Sequence, residues 1–348
     1  MAPHRSDTPR LVLWLIVLLL VVLTGATLWR TGAFAPPPTI ALVASAESPY
    51  WNDAILGAQD AAKHYDAVVD VYQAKGGEPE QTKILYELAA KGVSGIAVSP
   101  LHAVRQSPVL REIGRKIPVV TFDSDSPNSG RMCFVGTDNY TAGRQCAELV
   151  REALPDGGTV VIAIGSLDKE NGRLRRQGVI DELLERSFGP GRPPEPMGQP
   201  LAGPRYTIVK TLVDNNDAPQ AKQNIVDLLA SGETPNCIVG LYAYNGPAAV
   251  EALTEAGKID GVVVIGFDYT DETLEAIENG QIYASMAQDP YNYGYHAVRI
   301  LAEEARGRGE ANLPMNEILD IRCFPIKKDN LEQFKAKLAK QRSGDGAG

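Results

Sequence analysis

Polar residues that close apolar runs are where chemistry could sit in this chain. IALVA is followed by Ser45 and Ser48 and then by two aromatic rings, Tyr50 and Trp51. Asp123 follows IPVVTF, Asp268 follows VVVIGF, and Gln288 follows IYASMA. Asn216 and Asn245 come shortly after YTIVKTLV and CIVGLYA, and Arg173 lies just beyond VVIAIGS. Amides, carboxylates and a guanidinium are planar groups with paired donor or acceptor positions. They match neighbouring hydroxyls, each of which both donates and accepts. Aromatic faces cover C–H surface. The set therefore suits a small polyhydroxylated ligand such as a sugar. Each residue also has a plainer role open to it. Asp123, Asn245 and Asp268 could cap the helices that follow them. Tyr50 and Trp51 could be core aromatics, Arg173 could share a solvated helix face with its arginine neighbours, and Gln288 could serve a turn. What the plainer roles leave unexplained is that all of these residues occur together at strand ends.

Strand ends matter because open α/β sheets bind ligands beyond the carboxyl ends of their strands. From Thr39, short β-branched runs (39–45, 67–73, 93–99, 117–122, 131–135) alternate with amphipathic stretches such as ILGAQDAAKHY, QTKILYELAA and AGRQCAELVREAL. The rhythm restarts at 158–164, 206–213, 237–243 and 262–268. Apolar strands separated by helices indicate parallel sheets covered on both faces. Two doubly wound α/β lobes are implied, in keeping with a length of 348 residues. Residues 189–204 hold ten Gly or Pro in sixteen positions, which excludes helix and central strand. They read as a surface excursion within the second lobe. NLEQFKAKLAK, near the end, reads as a polar helix of no special content.

Residues 11–29 are apolar and uncharged, and as one helix they would span about 28 Å. Arg5 and Arg10 precede them, which places the N-terminus in the cytoplasm and everything after Arg30 outside. The A-x-A site nearest the apolar segment, Ala33–Ala35, is followed by Pro36, so the segment is expected to be retained as an inner-membrane anchor rather than cleaved as a signal peptide. Pro36–Pro38 would form a stiff spacer.

Composition removes several alternatives. A net charge of −9 gives phosphates nothing to bind, so nucleic acid is not an expected partner. Cys133, Cys146, Cys237 and Cys323 are far apart, without C-x-x-C, so neither zinc nor a dithiol site is indicated. His4, His64, His102 and His296 flank no G-x-S-x-G or H-E-x-x-H pattern, and no glycine-rich phosphate loop follows a strand. No enzyme activity, metal or cofactor is expected.

The chain resembles the type I periplasmic sugar-binding proteins, in particular the ribose-binding branch that serves ABC transporters. The resemblance runs from about Ile40 to Phe324. It rests jointly on IALVASAESPYWNDAILGAQDAA, IPVVTFDSD, FVGTDNYTAGRQCAE, NGRLRRQG, VDNNDAPQAKQNIVDLL, YAYNGPAAVEAL and VVVIGFDYTDETLEAIENGQIYASMAQDPYNYG. It implies an extracytoplasmic, monomeric protein that closes two lobes over a sugar and hands it to an ABC permease. A membrane-anchored sensor subunit presenting the sugar to a receptor is the alternative. It implies ligand contacts at Ser45, Ser48, Tyr50, Trp51, Asp123, Ser124, Arg173, Asn216, Asn245, Asp268 and Gln288. Ser124 stands where the family often has arginine, and Asn216 where it often has an aromatic ring. A hexose or polyol therefore fits as well as ribose. The first lobe would comprise 39–137 plus 289–317 and the second 138–288 plus 318–340, including the strand ILDIRCF. Three crossings near Thr137, Gln288 and Met315 would form the hinge. An approach of Cys133 to Cys323 near these strands is a further expectation.

Overall fold

A computed structural model describes residues 13–23, 36–48, 50–189, 191–309 and 313–343. Residues 13–23 form helix α1 with exposed apolar side chains. The rest of the expected 11–29 span lies outside the described residues. Among those described, no helix is long and apolar enough to cross a membrane.

The first lobe is built from β1 (Thr39–Ala44), α2 (Tyr50–His64), β2 (Val68–Gln73), α3 (Gly77–Lys91), β3 (Gly95–Val98), α4 (Ser107–Gly114), β4 (Val119–Phe122) and β5 (Cys133–Gly136). The chain then crosses to α5 (Asn139–Ala153), β6 (Gly158–Ile164), α6 (Glu170–Leu183), β7 (Leu201–Ala202), β8 (Tyr206–Val213), α7 (Ala218–Ala230), β9 (Cys237–Gly240), α8 (Asn245–Glu255), β10 (Val263–Phe267), α9 (Asp271–Glu278) and β11 (Ala284–Ala287). It returns through α10 (Pro290–Glu304) and β12 (Ile318–Asp320), and ends with β13 (Phe324–Ile326) and α11 (Leu331–Arg342).

The first sheet runs β12-β5-β4-β3-β1-β2, with every pair parallel. The second runs β13-β11-β10-β9-β6-β8-β7, parallel except for its two edge strands. Without those two edges, and without β12 at the edge of the first sheet, both sheets have the order 2-1-3-4-5, so β1 corresponds to β6 and β4 to β10. This is the doubly wound plan with a switch point beside the first strand of each lobe. Central strands such as IALVA and VVIAI are apolar on both faces because helices cover both.

Each lobe also has one very close helix pair. A Cβ on Gly294 of α10 would collide with the Ala54 carbonyl of α2, and a Cβ on Gly143 of α5 with the Arg175 carbonyl of α6. Glycine is required there by contact between backbones.

The third crossing differs from expectation. Ile318–Asp320 runs parallel to β5 in the first sheet, and only Phe324–Ile326 joins the second, against β11. ILDIRCF is therefore divided between the lobes, and the crossing lies at Ile321–Cys323 rather than at Met315, which is fully exposed. The strand ends where it does because it covers the β5 edge, which would otherwise present unpaired backbone groups. All four cysteines are free and buried. Cys323 Sγ contacts Gln145 Oε1 of α5, 3.2 Å away in the second lobe, so the expected approach to Cys133 is not realised. The 189–204 excursion ends in β7, which pairs antiparallel with β8. The buried Arg176 guanidinium donates to the carbonyls of Glu195 and Pro196 and holds it down.

Candidate functional site

The loops after the strands of both lobes meet across one cleft. In the first lobe β4 ends at Phe122, and Asp123 turns into the left-handed region with φ of 61°, a conformation aspartate tolerates better than most residues. Its carboxylate is buried and accepts from Tyr50 Oη at 2.8 Å and Ser99 Oγ at 3.0 Å. Tyr50 opens α2 and also donates to Gln288 Oε1 at 3.2 Å. Burial, reinforced by Asp123, pushes its phenol well above the ordinary range, so it stays a neutral donor. Trp51 next to it belongs to the first-lobe core, edge-on to Phe122.

From the second lobe, β6 leads through Ser166–Asp168 to α6, whose first turns supply Lys169, Asn171 and Arg175. All three are buried. Lys169 Nζ donates across the cleft to Ser45 Oγ at 2.9 Å and lies 3.9 Å from Asp123. Burial lowers its pKa while Asp123 pulls it back up. Asn171 Nδ2 donates to Asp123 Oδ2 at 3.4 Å. Arg175 is 2% exposed and stacks over Phe267, 3.9 Å from the ring centre. Its guanidinium donates to Asn139 Oδ1, the Leu241 carbonyl and Gln288 Oε1 at 2.8, 3.0 and 2.7 Å.

Asp268 follows β10 with the same φ of 61°. Its Oδ1 accepts one long bond, from the Gln288 amide at 3.4 Å. Burial pushes this carboxyl up to about 7, against the pull of Arg175. Gln288 links the site to the hinge: its Nε2 donates to Tyr293 Oη at 2.9 Å, and the Tyr293 hydroxyl donates to Thr137 Oγ1 at 2.5 Å. Thr137 in turn donates to the Ile321 carbonyl at 2.8 Å. One chain of hydrogen bonds thus touches all three crossings.

Eight of the eleven residues singled out in the sequence lie in or directly behind this cleft: Ser45, Tyr50, Trp51, Asp123, Ser124, Asn245, Asp268 and Gln288. Ser124 is wholly buried, and its hydroxyl has no partner among the described residues. Asn245 uses its amide within the second lobe, on the Tyr242 N–H and Asp214. Ser48 is half-buried, and its carbonyl accepts from Trp51 N at the start of α2. Two placements differ from expectation. Arg173 is 50% exposed and pairs with Glu170 on the outside of α6, because one helical turn cannot bring it and Arg175 to the same face. Asn216 is exposed with φ of 66° in a turn, two residues beyond the buried Asp214 that bonds Tyr244 and Asn245.

Sequence reasoning missed Lys169, Asn171, Arg175, Ser99 and Asp214. For Ser99 and Asp214 the signal was present, since each is the first residue after its strand. Asn171 and Arg175 are four apart, which puts them on one helix face.

A family model described as a periplasmic binding protein domain matches residues 40–309. The D-allose-binding periplasmic protein of Escherichia coli K12 is 26% identical over 287 residues, 78% of this chain and 86% of that protein. Among solved structures, GanP, a glucose-galactose binding protein from Geobacillus stearothermophilus, has a TM-score of 0.76 at 28% identity, over 85% of this chain and 99% of that one. A XylFII–LytSN complex aligns at 0.74 and 26% identity, over 84% and 99%.

Proposed function

Because the chain belongs to the periplasmic binding protein domain family, as a type I member of the ribose-like sugar-binding branch, we propose that it captures a monosaccharide or polyol outside the cytoplasm, between its two lobes, and delivers it to an ABC permease. The observation that carries this reading is the set of planar groups contributed from both sides of one cleft: buried Asp123 and half-buried Tyr50 from the first lobe, buried Asn171, Arg175 and Asp268 from the second, and buried Gln288 at the crossing. The carboxylates, the amides and the guanidinium among them can each hold a pair of neighbouring hydroxyls. Tyr50 supplies one aromatic face, and Lys169 and Ser45 supply one further donor and one hydroxyl. Ser124 puts a small neutral hydroxyl beside Asp123 in place of a charged donor, which favours a hexose or polyol over a ligand that needs a second guanidinium.

The protein acts as a monomer tethered by residues 11–29, with the lobes moving about the crossings at Thr137, Gln288 and Ile321–Cys323. The ligand stabilises the closed arrangement by its differential affinity for it. The test is a thermal-shift screen of the full chain in detergent against pentoses, hexoses, polyols and nucleosides. A ligand at 100 times its Kd adds about 2.7 kcal/mol. A saturable shift with one sugar is expected; a folded protein that no sugar shifts overturns the reading.

In a second reading the chain is an anchored sensor that presents sugar to a receptor; what supports a protein partner of this kind is that one structural neighbour, XylFII, was solved in complex with a second protein, LytSN. Sugar-dependent stimulation of ATP hydrolysis by a reconstituted permease would decide for transport.

A further inference from the structure

The last helix joins the two lobes at a place remote from the ligand groups. One face of α11 is fixed in the second lobe, where Leu331, Phe334 and Leu338 are buried and Phe334 packs on Tyr269 with ring centres 4.9 Å apart. Its last turn leaves that lobe. Arg342 Nε and Nη2 donate to Asp53 Oδ1 and Oδ2 at 2.9 and 3.0 Å, a bidentate pair. Asp53 belongs to the first turn of α2, the first-lobe helix that Tyr50 opens. Tyr269, the residue after Asp268, adds a third bond, from its hydroxyl to Asp53 Oδ2 at 3.1 Å. The Asp53 side chain is 8% exposed and that of Arg342 47%. Lys337, one turn earlier, lies 3.9 Å from Asp289, the cap of α10 at the second crossing.

We infer that α11 is a clasp: Arg342 and Tyr269 of the second lobe grip Asp53 of the first, and these three positioning residues set the balance between open and closed lobes without touching ligand. The two charged groups of the contact favour their own helices as well, since Asp53 sits at the positive start of α2 and Arg342 at the negative end of α11. The contact is thus poised in both lobes and is made only when they approach. An α2 held by the clasp keeps Tyr50, with its first-lobe partner Asp123, against Gln288 at the crossing and Asn171 of the second lobe, so clasp and ligand groups close together. The inference needs two moving lobes but no particular sugar.

The test is hydrogen exchange of the full chain in detergent with no sugar added, so that its failure and the failure of sugar capture are read separately. Arg342→Ala leaves the apolar seam of α11 in place. It is expected to speed exchange about three- to tenfold in both cleft segments, 45–53 and 165–175, with β2 and β8 unchanged. Asp53→Asn, made from the opposite lobe, is expected to give the same pattern. Exchange that rises only within 331–343, or in neither cleft segment, overturns the clasp.

Discussion

Asp123 and Asp268 occupy the same place in their lobes. Each follows a phenylalanine at the end of the fourth doubly wound strand, each has φ of 61°, and each N–H bonds the neighbouring fifth strand, to Val135 and Met286. Their surroundings differ. Asp123 accepts from two hydroxyls and an amide and has Lys169 at 3.9 Å. Asp268 accepts one long bond from the Gln288 amide and is pushed up to about 7 by burial. The fold repeats its backbone device in both lobes, and the neighbouring side chains make one aspartate a satisfied anchor and the other an acceptor short of donors. Under the proposed function, ligand hydroxyls would supply what Asp268 lacks, which would couple binding to ionisation in the second lobe.

The largest effect that would sharpen this comparison is loss of Arg175. Its three acceptors would be left buried without their donor, and breaking such a buried network typically destabilises by about 3–5 kcal/mol. For Arg175→Ala, chemical denaturation should show a loss of that order, with sugar binding abolished. Lys169→Met, which removes the cleft-crossing donor to Ser45, is expected to weaken sugar binding by about 1.5–3 kcal/mol in calorimetry and to leave the fold intact. Equal affinity in this variant would detach Lys169 from the site.

A pH series separates the two aspartates. Asp268 binds its proton more tightly folded, at about 7, than unfolded, at about 4. Its contribution to the stability of the ligand-free protein is therefore fully present below about pH 4 and is lost as pH rises toward 7. Sugar hydroxyls favour the ionised form, so affinity should rise by up to about tenfold per pH unit toward pH 7 and then level off. Asp268→Asn should flatten that dependence, and an unchanged pH profile would break the contrast with Asp123. The smallest expected effect is that of Asn216→Ala: an exposed turn residue should change affinity by less than about 0.5 kcal/mol.

The strand–helix alternation made the two-lobe plan legible in sequence, and the first residue after each strand proved the most informative position. Ser45, Asp123, Asp268 and Gln288 stand there, and so do Ser99, Asp214 and Thr137. Asn216 was chosen two residues too late. Among the arginines of α6, the apolar Val179, Ile180 and Leu183 set the buried face near Arg176 and leave Arg173 and Arg175 on opposite flanks. Only the packing of α6 on its own sheet and the position of the first lobe opposite decide which flank meets the cleft. Trp51 looked like a ligand ring because it adjoins Tyr50, but successive helix residues do not share a face. The division of ILDIRCF and the reach of α11 to Asp53 depend on pairings between distant segments, which local pattern does not encode.

The central claim is that α6 holds the sugar through Arg175, and that Arg173 on the same helix is a bystander. Titration calorimetry of the full chain with the sugar found by thermal shift, comparing Arg175→Lys with Arg173→Ala, tests it most directly. Lysine keeps the charge but not the three-way fork. Arg175→Lys is expected to lose at least about tenfold in affinity, and Arg173→Ala to keep wild-type affinity within about twofold. Wild-type affinity in Arg175→Lys with loss in Arg173→Ala would contradict it.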